Sequence, residues 1–286
     1  MLTINHILFP FDFSAEGSRA APFVQALALR FKAQVTLFGV VPPVWDAAPI
    51  GTGAIAGEST AEWMRGLKSQ LDQALLDQLP GVTVERVADS GDPALRIVEF
   101  ARTHSVDLIM MPTHGVGLFR SLLIGSVSAK VLHDAECAVW TATHAEEQRS
   151  RPLPRSILCA VDGGAGSAAL MQSAAAFSAQ VGATLKLLHV VEPITDWPSL
   201  EREQARQDGV RNEARAKVES IQNEAGVAAP LRVAVGQVVA TVTEDARQED
   251  ADVVVIGRGV VTETLGRLRT HAYGIIRRSP CPVLSV

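Results

Sequence analysis

The second half of this chain repeats the first, and that limits the folds open to it more than any other feature. Residues 6–14, HILFPFDFS, return as SILCAVDGG at 156–164. VTLFGVVPP at 35–43 returns as LKLLHVVEP at 185–193, the same 150-residue offset that carries Asp12 to Asp162. SGDPALRIVEFA around Gly91 has a looser echo in VGQVVATVTEDA around Gly236. DLIMMP at 107–112 returns as DVVVIG at 252–257, and ECAVWTA at 136–142 as PCPVLSV at 280–286. The order of the matches is kept throughout, so the halves are homologous. The polar, charged stretch 144–155, with Pro152 and Pro154, has the composition of a joint. The expected domains are therefore 1–144 and 155–286.

Each half alternates apolar runs of strand length with segments of helical spacing. Strands are expected at 4–9, 35–41, 82–88, 107–111 and 138–142. Helices are expected at 20–31, at 58–79, from Asp92-Pro93 through Thr103, and at 127–133. Trp63, Leu67, Leu71, Leu75 and Leu79 would form the inner stripe of the second helix. The second half repeats the plan, with strands at 157–161, 185–191, 231–235, 253–256 and 282–286. Its helices are expected at 167–181, 200–225, 238–248 and 270–278. Strands that are apolar throughout and alternate with helices imply a parallel sheet covered on both faces. The expected class is α/β: two tandem doubly wound domains, each a five-stranded parallel sheet with helices on both faces. The charged run 201–219 reads as a solvated helix face.

The stretch 107–130, DLIMMPTHGVGLFRSLLIGSVSAK, carries the strongest chemical signal. A buried strand ends at Pro112, a glycine-bearing loop follows, and Gly125-Ser126 opens a helix. Ligands of open α/β sheets sit at the carboxyl ends of the strands. A helix start offers unpaired N–H groups and the positive end of a dipole. Glycines at Gly115 and Gly125 would let main-chain amides approach an anion with no Cβ in the way. Two readings follow from these residues. The loop cradles phosphate, or it is an ordinary strand-to-helix connection with Ser126 as a plain N-cap.

Composition narrows the partners. With 286 residues and 47% hydrophobic content the chain can bury a substantial core, and its net charge of −5 argues against nucleic acid. No apolar run reaches membrane-span length, and the first residues lack the basic leader of a signal peptide. Cys137, Cys159 and Cys281 form no metal or redox spacing and suit a reducing, cytoplasmic setting.

At the repeated segments the chain resembles the universal stress protein family, over nearly its whole length and as two tandem copies. Nucleotide-binding members of that family carry glycine, two residues, glycine, nine residues, then glycine followed by serine or threonine. The first half has Pro112, Thr113, His114, Gly115, nine residues, Gly125 and Ser126, and departs only at Pro112. The resemblance implies ATP as ligand, leaving open whether Mg²⁺ accompanies it. Asp12 would lie by the adenine or ribose at the tip of the first strand, beside Pro10. Val40 would offer adenine its backbone and an apolar surface, and Met111 and Pro112 would line base and sugar. Gly115, Gly125, Ser126 and Val127 would meet the phosphates, and His114 would help neutralise them or simply face solvent. Capping the following helix is a second role for Asp12. Proline has no N–H and cannot take a positive φ. One lost charge-assisted hydrogen bond, about 1.5–3 kcal/mol, would cost this half about tenfold to hundredfold in affinity.

In the second half Gly257 fits the first glycine. Arg269 and Thr270 replace Gly125 and Ser126, counting back from Cys281. This copy is not expected to bind ATP in the family manner; Arg258, Arg267 or Arg269 holding another ligand is the competing idea. The resemblance also implies an internal pseudo-dimer with the fifth strands at its contact, and leaves open a further homo-dimer. Three functions then compete. The first is a non-catalytic, ATP-binding regulatory protein whose occupancy is read by a protein partner. The second is a nucleotide-independent interaction module of the same fold. The third, an enzyme, would need an ATP-handling loop or a catalytic cluster; VDGGAGS at 161–167 lacks the serine before its glycines. Weak hydrolysis of bound ATP is compatible with the first.

Overall fold

A computed structural model describes residues 2–43, 60–112, 124–142, 152–193, 200–258 and 270–286. The chain forms two compact units, Ile4–Cys137, and Met1–Thr3 with Ala138–Val286.

The first unit holds β1 (His6–Pro10), α1 (Ala15–Phe31), β2 (Gln34–Val41), α2 (Thr60–Gln73), β3 (Val84–Ser90), α3 (Pro93–Thr103), β4 (Leu108–Pro112) and α4 (Ser126–Asp134). Its strands lie in the order β3-β2-β1-β4, every pairing parallel. Ile7, Leu8, Phe9, Val35, Leu37, Leu108 and Ile109 are fully buried. Consecutive buried residues need cover on both faces of the sheet. Two neighbours on β2 show where it comes from. A Cβ on Gly39 would lie 3.0–3.2 Å from Leu71 and Leu67 of α2. Phe38, pointing the other way, meets Phe100 of α3 with ring centroids 4.7 Å apart. So α2 lies on one face and α3 on the other, and α4 packs against α3.

The second unit holds β5 (Ala138–Ala142), β6 (Ser156–Val161), α5 (Ser167–Val181), β7 (Thr184–Val191), α6 (Leu200–Ala225), β8 (Leu231–Val235), α7 (Val238–Gln248), β9 (Val253–Ile256), α8 (Thr270–Arg278) and β10 (Val283–Ser285). The order is β5-β10-β9-β6-β7-β8. Five strands are parallel, and β5 closes the edge antiparallel to β10, with Leu284 opposite Trp140. The fifth strand of the first repeat thus belongs to the compact unit built by the second.

The repeat extends to single bonds. The Asp107 carboxylate accepts the N–H groups of Asn5 and His6 at 2.7 and 3.0 Å. Asp252 does the same for Arg155 and Ser156 at 2.8 and 3.0 Å. Gly91 donates to the carbonyl of Val41, and Gly236 to that of Val191, both at 2.9 Å.

Three expected elements are corrected. The first helix begins at Ala15 and not at Ala20, because Ser14 caps it and Gly17 already lies in its first turn. The second helix ends at Gln73, and Trp63 is 50% exposed whereas Leu71 is fully buried. Only the turn carrying Leu67 and Leu71 sits on Gly39; Trp63, one turn earlier, lies outside the buried stripe. The third strand begins two residues later than its pattern suggests, because pairing with β2 starts at Val35↔Val84.

Candidate functional site

Strand register decides which of the expected site residues meet. Phe38 faces α3, and its partner on β1 is Pro10, so Pro10 faces the same way. Val40, two residues past Phe38, does too. Leu8 pairs with Ile109, which puts Met111 on that face as well. Pro10, Val40 and Met111 therefore share one face at the carboxyl ends of three adjacent parallel strands. Met111 is buried, and Pro10 and Val40 are half-buried. Phe11 N–H donates to Phe38 C=O at 2.9 Å, the last bond of the β1–β2 ladder. The peptide groups of Val40 point to the same side of β2, past the end of that ladder.

Asp12 follows at the tip of β1, exposed. Its carboxylate accepts only the Ser14 N–H, at 3.0 Å, among the described residues. The cap of α1 is Ser14, whose hydroxyl accepts from Gly17 N–H at 3.0 Å. Asp12 thus shapes the turn without being consumed by the helix start. Phe13, next in line, has φ 60° and meets Phe11 in a tilted ring contact with centroids 4.9 Å apart.

On the same face, α4 begins at Ser126. Its N-cap is Gly125, with no side-chain bond to the first turn, so the reading of Ser126 as a plain N-cap is corrected. Gly125 has φ −56°, a conformation open to any residue; what glycine contributes here is the missing side chain. Ser126 is exposed, Val127 half-buried. Ser128, which the sequence did not single out, donates its hydroxyl to the Pro112 carbonyl at 3.1 Å. That bond fixes the start of α4 against the end of β4. His114 and Gly115 lie outside the described residues.

Among the described residues near this edge, Arg96 and Lys130 are each ion-paired. Arg96 is held by Asp89 and Glu99, both at 2.7 Å. The Asp89 carboxylate raises the Arg96 pKa further. Asp92, the N-cap of α3, accepts Leu95 N–H at 2.8 Å and lies 3.3 Å from the Lys130 ammonium. The Leu95 N–H first, and Lys130 next, hold its carboxyl below the ordinary carboxylate range. Lys130 was not anticipated either; its signal was its place four residues after Ser126.

The second copy is arranged differently. Asp162 Oδ1 accepts both Gly164 N–H at 2.8 Å and the Ser167 hydroxyl at 2.9 Å, tying it to the start of α5. Arg258 is 5% exposed, with its main-chain N–H on Val286 C=O. Gly257 closes β9, and a Cβ there would lie 3.4 Å from Leu170. Arg267 and Arg269 lie outside the described residues. Among the described residues no cluster of His, Cys, Asp and Glu could hold a metal ion, and no helix is long and apolar enough to cross a membrane.

Comparison with known proteins agrees with this architecture. The family model of the Universal stress protein family matches residues 3–142 and again 154–286. A universal stress protein of Mycolicibacterium smegmatis is 26% identical over 200 residues, 68% of this chain and 66% of the relative, so the chain spans just under two thirds of it. One from Methanocaldococcus jannaschii is 31% identical over 139 residues, 46% of this chain and 78% of the relative. The crystal structure of a universal stress protein from Archaeoglobus fulgidus is alike in fold, with a TM-score of 0.71 and 17% identity over 98% of this chain and 97% of that one. Matched once by each repeat, the chain belongs to the universal stress protein family.

Proposed function

We propose that the chain is a non-catalytic, cytoplasmic stress-response protein that binds ATP in its first repeat and is read by a protein partner when occupied. The supporting observation is the shared face of Pro10, Val40 and Met111, closed on one side by the start of α4. Base and sugar would lie on that apolar face, and the Val40 peptide groups would meet the edge of the base. Asp12 would take the ribose. Gly125, Ser126 and Val127 would give the phosphates main-chain N–H groups and a hydroxyl. Pro112, His114 and Gly115 complete the proposed set. The second repeat would not bind ATP in this way, because its Asp162 is committed to α5 and Arg258 is packed at the end of its central strand.

A nucleotide-independent interaction module is the second reading. Pro112 favours it, since that position cannot donate an N–H. Calorimetry of extensively dialysed protein separates the two, with and without Mg²⁺ to read metal dependence. Binding of ATP by the intact chain and its loss in Gly125→Leu support the first. Leucine adopts the φ of Gly125 without strain, so loss of binding with an unchanged melting temperature reports the blocked approach. Heat-silent titration at millimolar ATP favours the module.

A further inference from the structure

The expected phosphate contacts are main-chain groups, one hydroxyl and His114, yet a triphosphate carries several negative charges. Arg96, on α3, is held by two carboxylates, each at 2.7 Å. Lys130 is bound more loosely. It lies one turn beyond Ser126 on the same face of α4, and helical side chains lean toward the N-terminus, which aims its ammonium at the first turn. Its one partner among the described residues is Asp92, at 3.3 Å, with both side chains 50% exposed. An ion pair that open to water is held weakly. Asp92 also keeps its cap bond to Leu95 whether or not Lys130 stays.

The other repeat supplies an internal comparison. Counting from Thr270 as the counterpart of Ser126, Gly274 stands in the place of Lys130. Counting from Gly236 as the counterpart of Gly91, Gln237 stands in the place of Asp92. The copy without the Gly-Ser pair has neither member of the ion pair, and its Gly274 is used for packing: a Cβ there would lie 2.7 Å from Val239.

We propose that Lys130 is a phosphate-binding residue of the first repeat, parked on Asp92 and released to the phosphates of a bound nucleotide. The proposal rests on the ATP reading above. A compact ammonium suits this role, since it meets phosphate oxygens as a point charge with little demand on angle.

The test uses the full chain with ATP, adenosine and inorganic tripolyphosphate as probes, titrated into wild type, Lys130→Met and Asp92→Asn. Asparagine is a good N-cap and keeps the α3 start intact. Lys130→Met is expected to weaken ATP and tripolyphosphate about tenfold and leave adenosine unchanged. Asp92→Asn, which frees Lys130, is expected to tighten ATP roughly twofold to fivefold, again without effect on adenosine. If wild type binds ATP and Lys130→Met binds it equally well, the role of Lys130 is overturned and the nucleotide reading stands. If wild type binds neither ATP nor adenosine, both fall. A tenfold loss shared equally by adenosine would mean that the substitution disturbs the fold of the site, and would overturn the assignment to phosphate.

Discussion

A left-handed backbone at a bulky residue costs about 1–2 kcal/mol, and Phe13 bears it where the second repeat has Gly163 at φ 70°. Phe13 recovers part of that through a tilted ring contact with Phe11, itself in ring contact with Phe9. The same position is thus solved by glycine in one copy and by an aromatic ladder in the other. A second pair of counterparts differs more in chemistry. Phe100 packs on Phe38 and stacks on His104, whereas Asp245, in its place on α7, is 2% exposed and faces Arg232 at 3.3 Å. Burial lifts the Asp245 carboxyl above its ordinary value of 3.8; Arg232 pulls it down, while Glu249 and Glu244 push it up. The folded chain therefore keeps this proton over a window above pH 3.8 in which the unfolded chain has released it. Stability from this residue falls as pH rises through that window, and the ionised carboxylate is a net cost above it. Asp245→Asn is expected to raise the melting temperature at pH 7 by roughly 2–4 °C, the shift about 1 kcal/mol brings at this size. The gain should shrink toward pH 4. A lower melting temperature at pH 7 would show that the Arg232 pair outweighs the desolvation.

Elements were legible where sequence period and tertiary demand agree. The helices α5, α6, α7 and α8 run over the residues expected of them; α5 and α6 stop at Gly182 and Gly226, and α8 stops just before Ser279-Pro280. For β3 the strand itself was foreseen and its start was not. VTVERVADS alternates only over its first four residues, and nothing in that pattern says where β2 begins to pair with it. The candidate site was half legible. Glycine and serine placed it at the start of α4, but the common face of Pro10, Val40 and Met111 follows from register, which a single strand does not encode. The links between elements were least legible, the Asp107 carboxylate above all. It holds the first two N–H groups of the β1 start and so pins that strand to β4. Asp107→Ala leaves both donors without that acceptor. Each costs about 1–3 kcal/mol if buried and less near solvent, so a loss of about 2–3 kcal/mol is expected in denaturant unfolding. Asp252→Ala should cost a similar amount, because Arg155 and Ser156 are held in the same way. A large difference between the two variants would break the equivalence of the repeats at this bond.

For the molecule as a whole, β5 is where sequence and structure divide the chain differently. By sequence it is the last strand of the first repeat; by compactness it belongs to the unit Ala138–Val286. Apolar period says that a strand is buried on both faces, never which neighbour it will take. In that unit β5 covers the outer edge of β10, with Val283 opposite Thr141 and Ser285 opposite Val139. Trp140 is 2% exposed and meets Phe177 of α5 at 6.3 Å, so the strand is also fixed through its side chain. Removing it would uncover a row of unpaired peptide groups on β10 beside fully buried Val283 and Leu284. The two ways of cutting the chain then behave differently. A polypeptide of residues 138–286 keeps β10 paired and Trp140 against Phe177, and is expected to self-associate less than one without β5 in size-exclusion chromatography with light scattering. One of residues 152–286 presents the bare edge and is expected to self-associate at micromolar concentration, pairing β10 with β10. Placing a proline at Val139 in the longer polypeptide should shift it toward the behaviour of the shorter one, since proline cannot donate to a ladder. If 152–286 stayed monomeric with the melting temperature of 138–286, the strand would be a passenger, and the edge of β10 would need no cover.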